Sequence, residues 1–325
     1  AVLASRPAAA ELAARRPAEL HLATYRAAFD GSEWRPARSA LQESLCANTK
    51  RCPITNLAAR RGARPPTRRW NHLYKVPALA SLPAPYPTTR VTNHSVGSER
   101  DVPLSPRSWL ATLPPDDLVV FVDGADVAVH DCGGATGPDA VLAEVRRRLM
   151  TLLDAGNATV VFGAELNAYD VDEDPVPPPP AWVGTACPNV ADPAWLAARS
   201  DCDTGFWLGE CSSPPRLMYP NTGLVAGTAG AVLEVATRAV VAKGAKGVTD
   251  QGRFWSYFAR GRNERATLAL DYCAALVLNA FRFLPSARRQ RQGTILDDVD
   301  SCFVHYPGPA KHFWRARARA RRAGD

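Results

Sequence analysis

Lysine, paired C-x-x-C cysteines and long apolar runs are all scarce or missing in this sequence of 325 residues. Because lysine is scarce, the formal net charge of +7 comes almost wholly from arginine. Arginine, alanine and proline are all abundant, so the charge reflects compositional bias as readily as selection for a polyanionic partner. The basic runs carry no interleaved aromatic residues, and we therefore expect no nucleic-acid partner. No apolar stretch approaches the length of a transmembrane helix, so the sequence predicts no membrane span in this chain.

The eight cysteines lack the spacing of a zinc site. Some bracket a short loop and others lie in an irregular, proline-rich region that crosslinks would stabilise. They are Cys46 and Cys52 in the loop, and Cys187, Cys202 and Cys211 in the irregular region. Asn93 and Asn157 begin N-x-S/T acceptor sequences for glycosylation. Together these features favour an oxidising compartment, so we expect the lumen of the endoplasmic reticulum or Golgi, or secretion.

The most informative stretch is an apolar run over residues 118–122 that ends in Asp123 and, three positions later, in Asp126. Such a run predicts a buried parallel strand, and open α/β sheets keep their ligands at the carboxyl ends of strands. Two carboxylates so close repel each other unless a cation lies between them. Carboxylate oxygens suit Mg²⁺ or Mn²⁺, although many strands end in an aspartate that merely caps the next element.

The rest of the chain alternates predicted strands and helices, which indicates an α/β protein with a mixed, mostly parallel sheet. Strands are expected over 20–24, 159–165, 268–271 and 301–305, with a turn and short strand over 219–227. Helices are expected over 138–156, over 228–241 and after Gln251. We expect residues 1–20 to be a lead-in, 20–314 a single domain and 315–325 a solvated basic tail.

Six motifs follow one another in this order. They are Asp123-Gly-Ala-Asp126, Val-Val-Phe-Gly-Ala-Glu165, Tyr219-Pro-Asn-Thr-Gly-Leu-Val-Ala-Gly-Thr, Thr-Asp250-Gln251, Leu-Asp271 and His305-Tyr-Pro-Gly-Pro-Ala-Lys311. Over about residues 118–314, this succession resembles the glycosyltransferase domain of the procollagen lysyl hydroxylases and related collagen glycosyltransferases.

The resemblance implies a GT-A fold, a Rossmann-like sheet that binds a UDP-sugar and a metal ion. It also implies that Asp123, Asp126 and His305 are the metal ligands. A neutral imidazole beside two carboxylates favours Mn²⁺ over Mg²⁺. The ion would bridge the diphosphate oxygens and neutralise charge as UDP departs.

By the same resemblance, Asp250 and Gln251 lie near the transferred sugar, and Glu165 ends the strand beside that of the paired aspartates. No enzymic nucleophile is evident, so we expect Asp250 to stabilise charge on the transition state without forming a covalent bond. The expected substrate-binding residues are Thr24, Tyr169, Asn221, Gly223, Gly308 and Lys311. Gly223 would let backbone approach the substrate, and Lys311 would reach the diphosphate.

The predicted activity is transfer of glucose or galactose from a UDP-sugar, with retention, to a hydroxyl of a glycoprotein or collagen-like acceptor. The chain departs from the family at Ala125, where an aromatic residue usually stands, and at Pro307, where asparagine usually stands. These departures favour an alternative, a catalytically silent lectin-like or scaffolding domain with the same fold. Glu165 and Asp271 also have a second interpretation, as ordinary caps at strand ends.

Overall fold

The computed structural model describes residues 18–25, 27–29, 34–36, 39–46, 52–57, 109–124, 126–167, 181, 183–184, 187–200, 202, 214–241, 251, 254, 267–283 and 299–307. Its strands are β1 (Leu20–Tyr25), β2 (Ala27–Phe29), β3 (Trp34–Pro36), β4 (Ile54–Asn56), β5 (Leu118–Asp123), β6 (Val127–Val129), β7 (Val160–Glu165), β8 (Tyr219–Thr228), β9 (Leu268–Leu270), β10 (Val277–Asn279) and β11 (Phe303–His305). Its α-helices are α1 (Ala40–Leu45), α2 (Pro138–Gly156), α3 (Pro188–Ala191), α4 (Pro193–Arg199) and α5 (Ala229–Val241).

Nine strands form one sheet in the order β4-β1-β5-β8-β7-β10-β11-β6, with β9 also paired to β7, while β2 and β3 form a separate hairpin. The pairs β1/β4, β1/β5, β7/β9, β7/β10 and β10/β11 are parallel. The pairs β5/β8, β7/β8 and β6/β11 are antiparallel. This confirms the prediction of an α/β protein with a mixed, mostly parallel sheet, and the arrangement is compatible with a Rossmann-like fold.

Apolar side chains cover both faces of the sheet. Alternate residues of a strand point to opposite faces, and on β5 Val119 and Phe121 belong to one buried cluster while Val120 and Val122 belong to the other. Helix α5 contributes to the first cluster and α2 to the second. Each helix therefore covers one face of the sheet, and the ends of the strands remain available for polar side chains.

Helix α2 has the bounds expected from its sequence, Pro138–Gly156. Proline occupies its first turn, where the missing N–H costs nothing, and Asn157 ends it in the left-handed conformation. Its apolar stripe is buried against the sheet through Val141, Val145 and Leu149. None of the helices in the described ranges is both long and apolar enough to cross a bilayer.

Strand β8 differs from the prediction of a turn followed by a short strand, because it runs for ten residues between β5 and β7. The prediction that the strand of Glu165 lies beside that of the paired aspartates was therefore wrong, since β8 pairs with both and separates them. Its register with β7 shifts between Phe162, which faces Val225, and Gly163, which faces Asn221. The segment of β8 between those two partners, 222–224, therefore forms a bulge on this side. Bulges re-aim side chains, and this one lies beside the candidate site.

Three disulfide bonds join Cys46 to Cys52, Cys132 to Cys302 and Cys187 to Cys273, and Cys202 is also disulfide-bonded. The bond between Cys132 and Cys302 ties the segment after β6 to the beginning of β11. These crosslinks are compatible with a secreted or lumenal protein.

Candidate metal centre

Asp123, Asp126 and His305 lie together at the end of the sheet where β5 and β11 terminate. Asp123 is the last residue of β5, Asp126 directly precedes β6, and His305 is the last residue of β11. All three are buried, and their potential ligand atoms lie within 4.8 Å of one another. His305 Nε2 is 3.7 Å from Asp123 Oδ2 and 3.5 Å from Asp126 Oδ1. The three residues expected to bind a metal ion are therefore neighbours in space.

The short strand β6 brings these residues together. After the turn at Asp126 the chain reverses and pairs antiparallel with β11, so that Val127 faces His305. The backbone N–H of Tyr306 then donates to the Asp126 carbonyl oxygen at 2.8 Å. The second aspartate is thus held against the histidine, although the two are far apart in sequence.

The chemistry of this group fits a divalent cation. The distances from His305 Nε2 exceed the roughly 2.7–3.2 Å of ordinary N–H···O hydrogen bonds. Ligand atoms that each lie about 2.1 Å from one ion are at most about 4.2 Å apart, and both distances fall below that bound. A cation here would also relieve the repulsion between two buried carboxylates. The group can therefore hold a metal ion.

A second polar group surrounds Glu165, the last residue of β7. Its Oε2 accepts a hydrogen bond from Asn221 Nδ2 at 3.0 Å, and its Oε1 accepts one from Gln251 Nε2 at 2.6 Å. Burial raises the pKa of Glu165 to about 7, and the two amide donors and the nearby His305 offset part of that rise. A carboxyl group of this kind changes charge near neutral pH.

The bulge in β8 joins this group to the metal centre. Asn221 Oδ1 accepts from the Gly223 backbone N–H at 2.7 Å, and Gly223 lies directly against the His305 ring. A β-carbon at Gly223 would overlap that ring, so only glycine leaves room for the imidazole. Gly223 therefore allows close packing within the site, and the expected approach of its backbone to the substrate stays a prediction.

Thr24 lies at the same end of the sheet, near the carboxyl end of β1. It pairs with Val122 in the register of β1 and β5, one position before Asp123, and it is fully buried. Its expected contact with the substrate stays a prediction. Four other predicted site residues lie outside the described part of the chain: Tyr169, Asp250, Gly308 and Lys311. Residues 1–17 of the predicted lead-in, Ala125 and the basic tail over 315–325 lie outside it too.

Asp271 has a structural role. Its carboxylate accepts hydrogen bonds from the backbone N–H groups of Ala275, Leu276 and Val277 at 2.8–2.9 Å. These bonds organise the turn between β9 and β10. Burial raises the pKa of Asp271 to about 6 despite the three donors. The cap interpretation of Asp271 is therefore confirmed, whereas Glu165 binds side chains of the site.

A second group of potential ligands, Glu19, His21 and Asp117, lies at the opposite end of β1 and β5. There Asp117 Oδ1 accepts from the Glu19 backbone N–H at 3.0 Å, and Oδ2 lies 2.9 Å from His21 Nε2. Both carboxylate oxygens are used in these contacts. The group is explained as a hydrogen-bonded link between the two strands.

Asn279 is a residue of the site that sequence reasoning missed. It ends β10, is 1% exposed and contacts His305 through its side-chain amide. The signal was available, because a polar residue closes the apolar run 273–278 just as Asp123 closes β5. The run was not recognised as a strand because two of its six residues are alanine, which is depleted in strands.

Comparison with protein-family models finds no match to this chain, and no curated protein matches it.

Proposed function

We propose that this protein is a metal-dependent glycosyltransferase that moves a hexose, glucose or galactose, from a UDP-sugar to a hydroxyl of a glycoprotein or collagen-like acceptor. The observation that carries the proposal is the buried group of Asp123, Asp126 and His305 at the carboxyl ends of β5 and β11. This is where α/β sheets bind nucleotides. The GT-A fold inferred from the motif order is part of the same proposal.

The metal ligands in this proposal are Asp123, Asp126 and His305, and the donor set favours Mn²⁺ over Mg²⁺. When bound, the ion supplies positive charge that offsets the charge on the diphosphate of the leaving UDP. The two negative charges of the aspartates balance the double positive charge of the ion, and the neutral imidazole adds no charge. The protein also excludes water from this group, since all three side chains are buried.

The transfer breaks the bond between the anomeric carbon and the diphosphate, and its electron pair stays on UDP. The acceptor oxygen forms the new bond to the anomeric carbon, and its proton passes to an oxygen of the departing diphosphate. In this proposal Glu165, held by Asn221 and Gln251, provides a carboxylate that stabilises positive charge developing on the sugar. Asp250 is proposed for the same role.

The test is UDP release from a panel of UDP-hexoses with and without Mn²⁺, for wild type, Asp126→Ala and Asp154→Ala. Asp154 is exposed on α2, so its substitution controls for loss of an acidic residue. We expect release from at least one donor that requires Mn²⁺, is lost in Asp126→Ala by 100-fold or more, on the order of 3 kcal/mol, and persists in Asp154→Ala. Absence of release from every donor by folded wild-type protein contradicts the proposal and favours the silent lectin-like alternative.

A further inference from the structure

The amide of Asn279 has one defined orientation. Its Nδ2 donates to the backbone carbonyl oxygen of Ala164 on β7 at 2.9 Å. A carbonyl oxygen only accepts hydrogen bonds, so the atom facing it must be the amide nitrogen. The amide oxygen, Oδ1, is therefore the atom that lies 2.6 Å from His305 Nδ1.

That orientation fixes the proton on the imidazole. Because Asn279 Oδ1 only accepts, His305 Nδ1 must carry the hydrogen in this contact. In the neutral ring the lone pair is then on Nε2, the nitrogen that faces Asp123 and Asp126 at 3.7 Å and 3.5 Å. Gly223 lies against the ring and leaves no space for a larger side chain there. The ring is thus constrained both by hydrogen bonding and by packing.

We propose that Asn279 is a positioning residue that holds His305 as the Nδ1–H tautomer and so directs the Nε2 lone pair to a divalent cation between Asp123 and Asp126. The effect on cation binding rests on the proposed function, whereas the tautomer does not. Metal-ligating histidines usually donate their second N–H to a fixed acceptor, which orients the ring and raises its basicity. Asn279 is buried and spans β7 and β11 from its place on β10, so this acceptor is held rigidly.

Metal affinity tests the consequence. Free Mn²⁺ measured by electron paramagnetic resonance gives the dissociation constant of wild type, Asn279→Leu, Asn279→Asp and Leu278→Ala. Leucine resembles asparagine in size but accepts no hydrogen bond, so we expect Mn²⁺ binding about 10- to 100-fold weaker. Asn279→Asp keeps an acceptor for Nδ1–H and is expected to bind more tightly than Asn279→Leu. Leu278 belongs to the buried cluster on the face covered by α5, so Leu278→Ala controls for general destabilisation and is expected to retain wild-type affinity.

Equal affinity of wild type and Asn279→Leu would overturn the inference and leave the proposed function intact. The tautomer is tested separately by imidazole ¹⁵N chemical shifts of metal-free protein above the titration range of histidine, with His305 assigned from His305→Gln. We expect a protonated Nδ1 and an unprotonated Nε2 in wild type. The opposite tautomer overturns the inference even if Mn²⁺ binds. The expected tautomer in a wild type that does not bind Mn²⁺ supports the positioning role and contradicts the proposed metal-dependent function.

Discussion

At the residue scale, the candidate site depends on side chains at the ends of four strands, of which β7, β10 and β11 are consecutive in the sheet and β5 is separated from β7 by β8. Asp123 and His305 end β5 and β11, while Glu165 and Asn279 end β7 and β10. The first three could be predicted, because a carboxylate or imidazole after an apolar run is visible in sequence. The place of Asn279 after an apolar run is visible in sequence as well, but its role is not, since that role depends on which carbonyl and which ring nitrogen its amide meets.

Glu165 leads to a prediction about pH. Below about pH 4.5 its carboxyl is protonated in both the folded and the unfolded protein, and above its folded pKa of about 7 it is ionised in both. Between these values the unfolded chain releases the proton while the folded protein retains it, so stability falls as pH rises. The free energy of unfolding of metal-free wild type, relative to Glu165→Gln, should therefore fall by up to about 3 kcal/mol across this range.

Urea unfolding between about pH 4 and pH 8 measures this difference. Glu144→Gln is the control, because the hydrogen bond from Arg147 lowers the pKa of Glu144 to about 2. Glu144 is thus ionised in the folded protein throughout the range, and its contribution is lost only as pH falls below 4.5. A difference between wild type and Glu165→Gln that does not change from pH 4.5 to pH 7 would show that Glu165 ionises normally.

At the scale of the elements, two features of the sheet assemble the site. Strand β6 returns the chain so that Asp126 meets His305, and the bulge in β8 places Gly223 against the same ring. Neither feature was predicted. A three-residue strand is too short to show a period of two, and a bulge arises from the registers of two partners that sequence does not specify.

Gly223→Ala tests the bulge. Its β-carbon would overlap the His305 ring, so either β8 or the histidine must move. We expect the free energy of unfolding to fall by about 1–3 kcal/mol, as in other overpacked cores, and Mn²⁺ affinity to fall with it. Chemical denaturation and a Mn²⁺ titration of the same protein measure both effects.

Gly184→Ala is the matched control, because a β-carbon at Gly184 meets no atom within 4 Å. This control is expected to leave stability and Mn²⁺ affinity close to wild type. Wild-type stability and affinity in Gly223→Ala would contradict the close contact between β8 and His305.

At the scale of the whole molecule, the alternation of strands and helices was sufficient to predict an α/β protein. Strands β1, β5, β7, β9 and β11 and helices α2 and α5 all lie where their apolar patterns placed them. The order of strands in the sheet was not predicted, because pairing depends on contacts distant in sequence such as β1 beside β5 and β11 beside β6. The assignment of residues 20–314 to one domain and of the termini to a lead-in and a tail stays a prediction.

A disulfide between distant parts of the chain bears on the compartment in which the protein folds. Cys132 and Cys302 are separated by 170 residues, and their disulfide links the end of the β6 segment to the strand that carries His305. This disulfide thus connects the segments that adjoin β6 and β11, the strands that begin after Asp126 and end at His305. Crosslinks of this kind are compatible with a secreted or lumenal protein.

Anomalous X-ray diffraction from crystals of the protein grown with Mn²⁺ and UDP would show whether Asp123, Asp126 and His305 bind a divalent cation. If they do, we expect a manganese peak next to the two carboxylates and His305 Nε2, within reach of the UDP diphosphate. The absence of a manganese peak at these three residues, or a peak only elsewhere in the protein, would contradict the proposed metal centre.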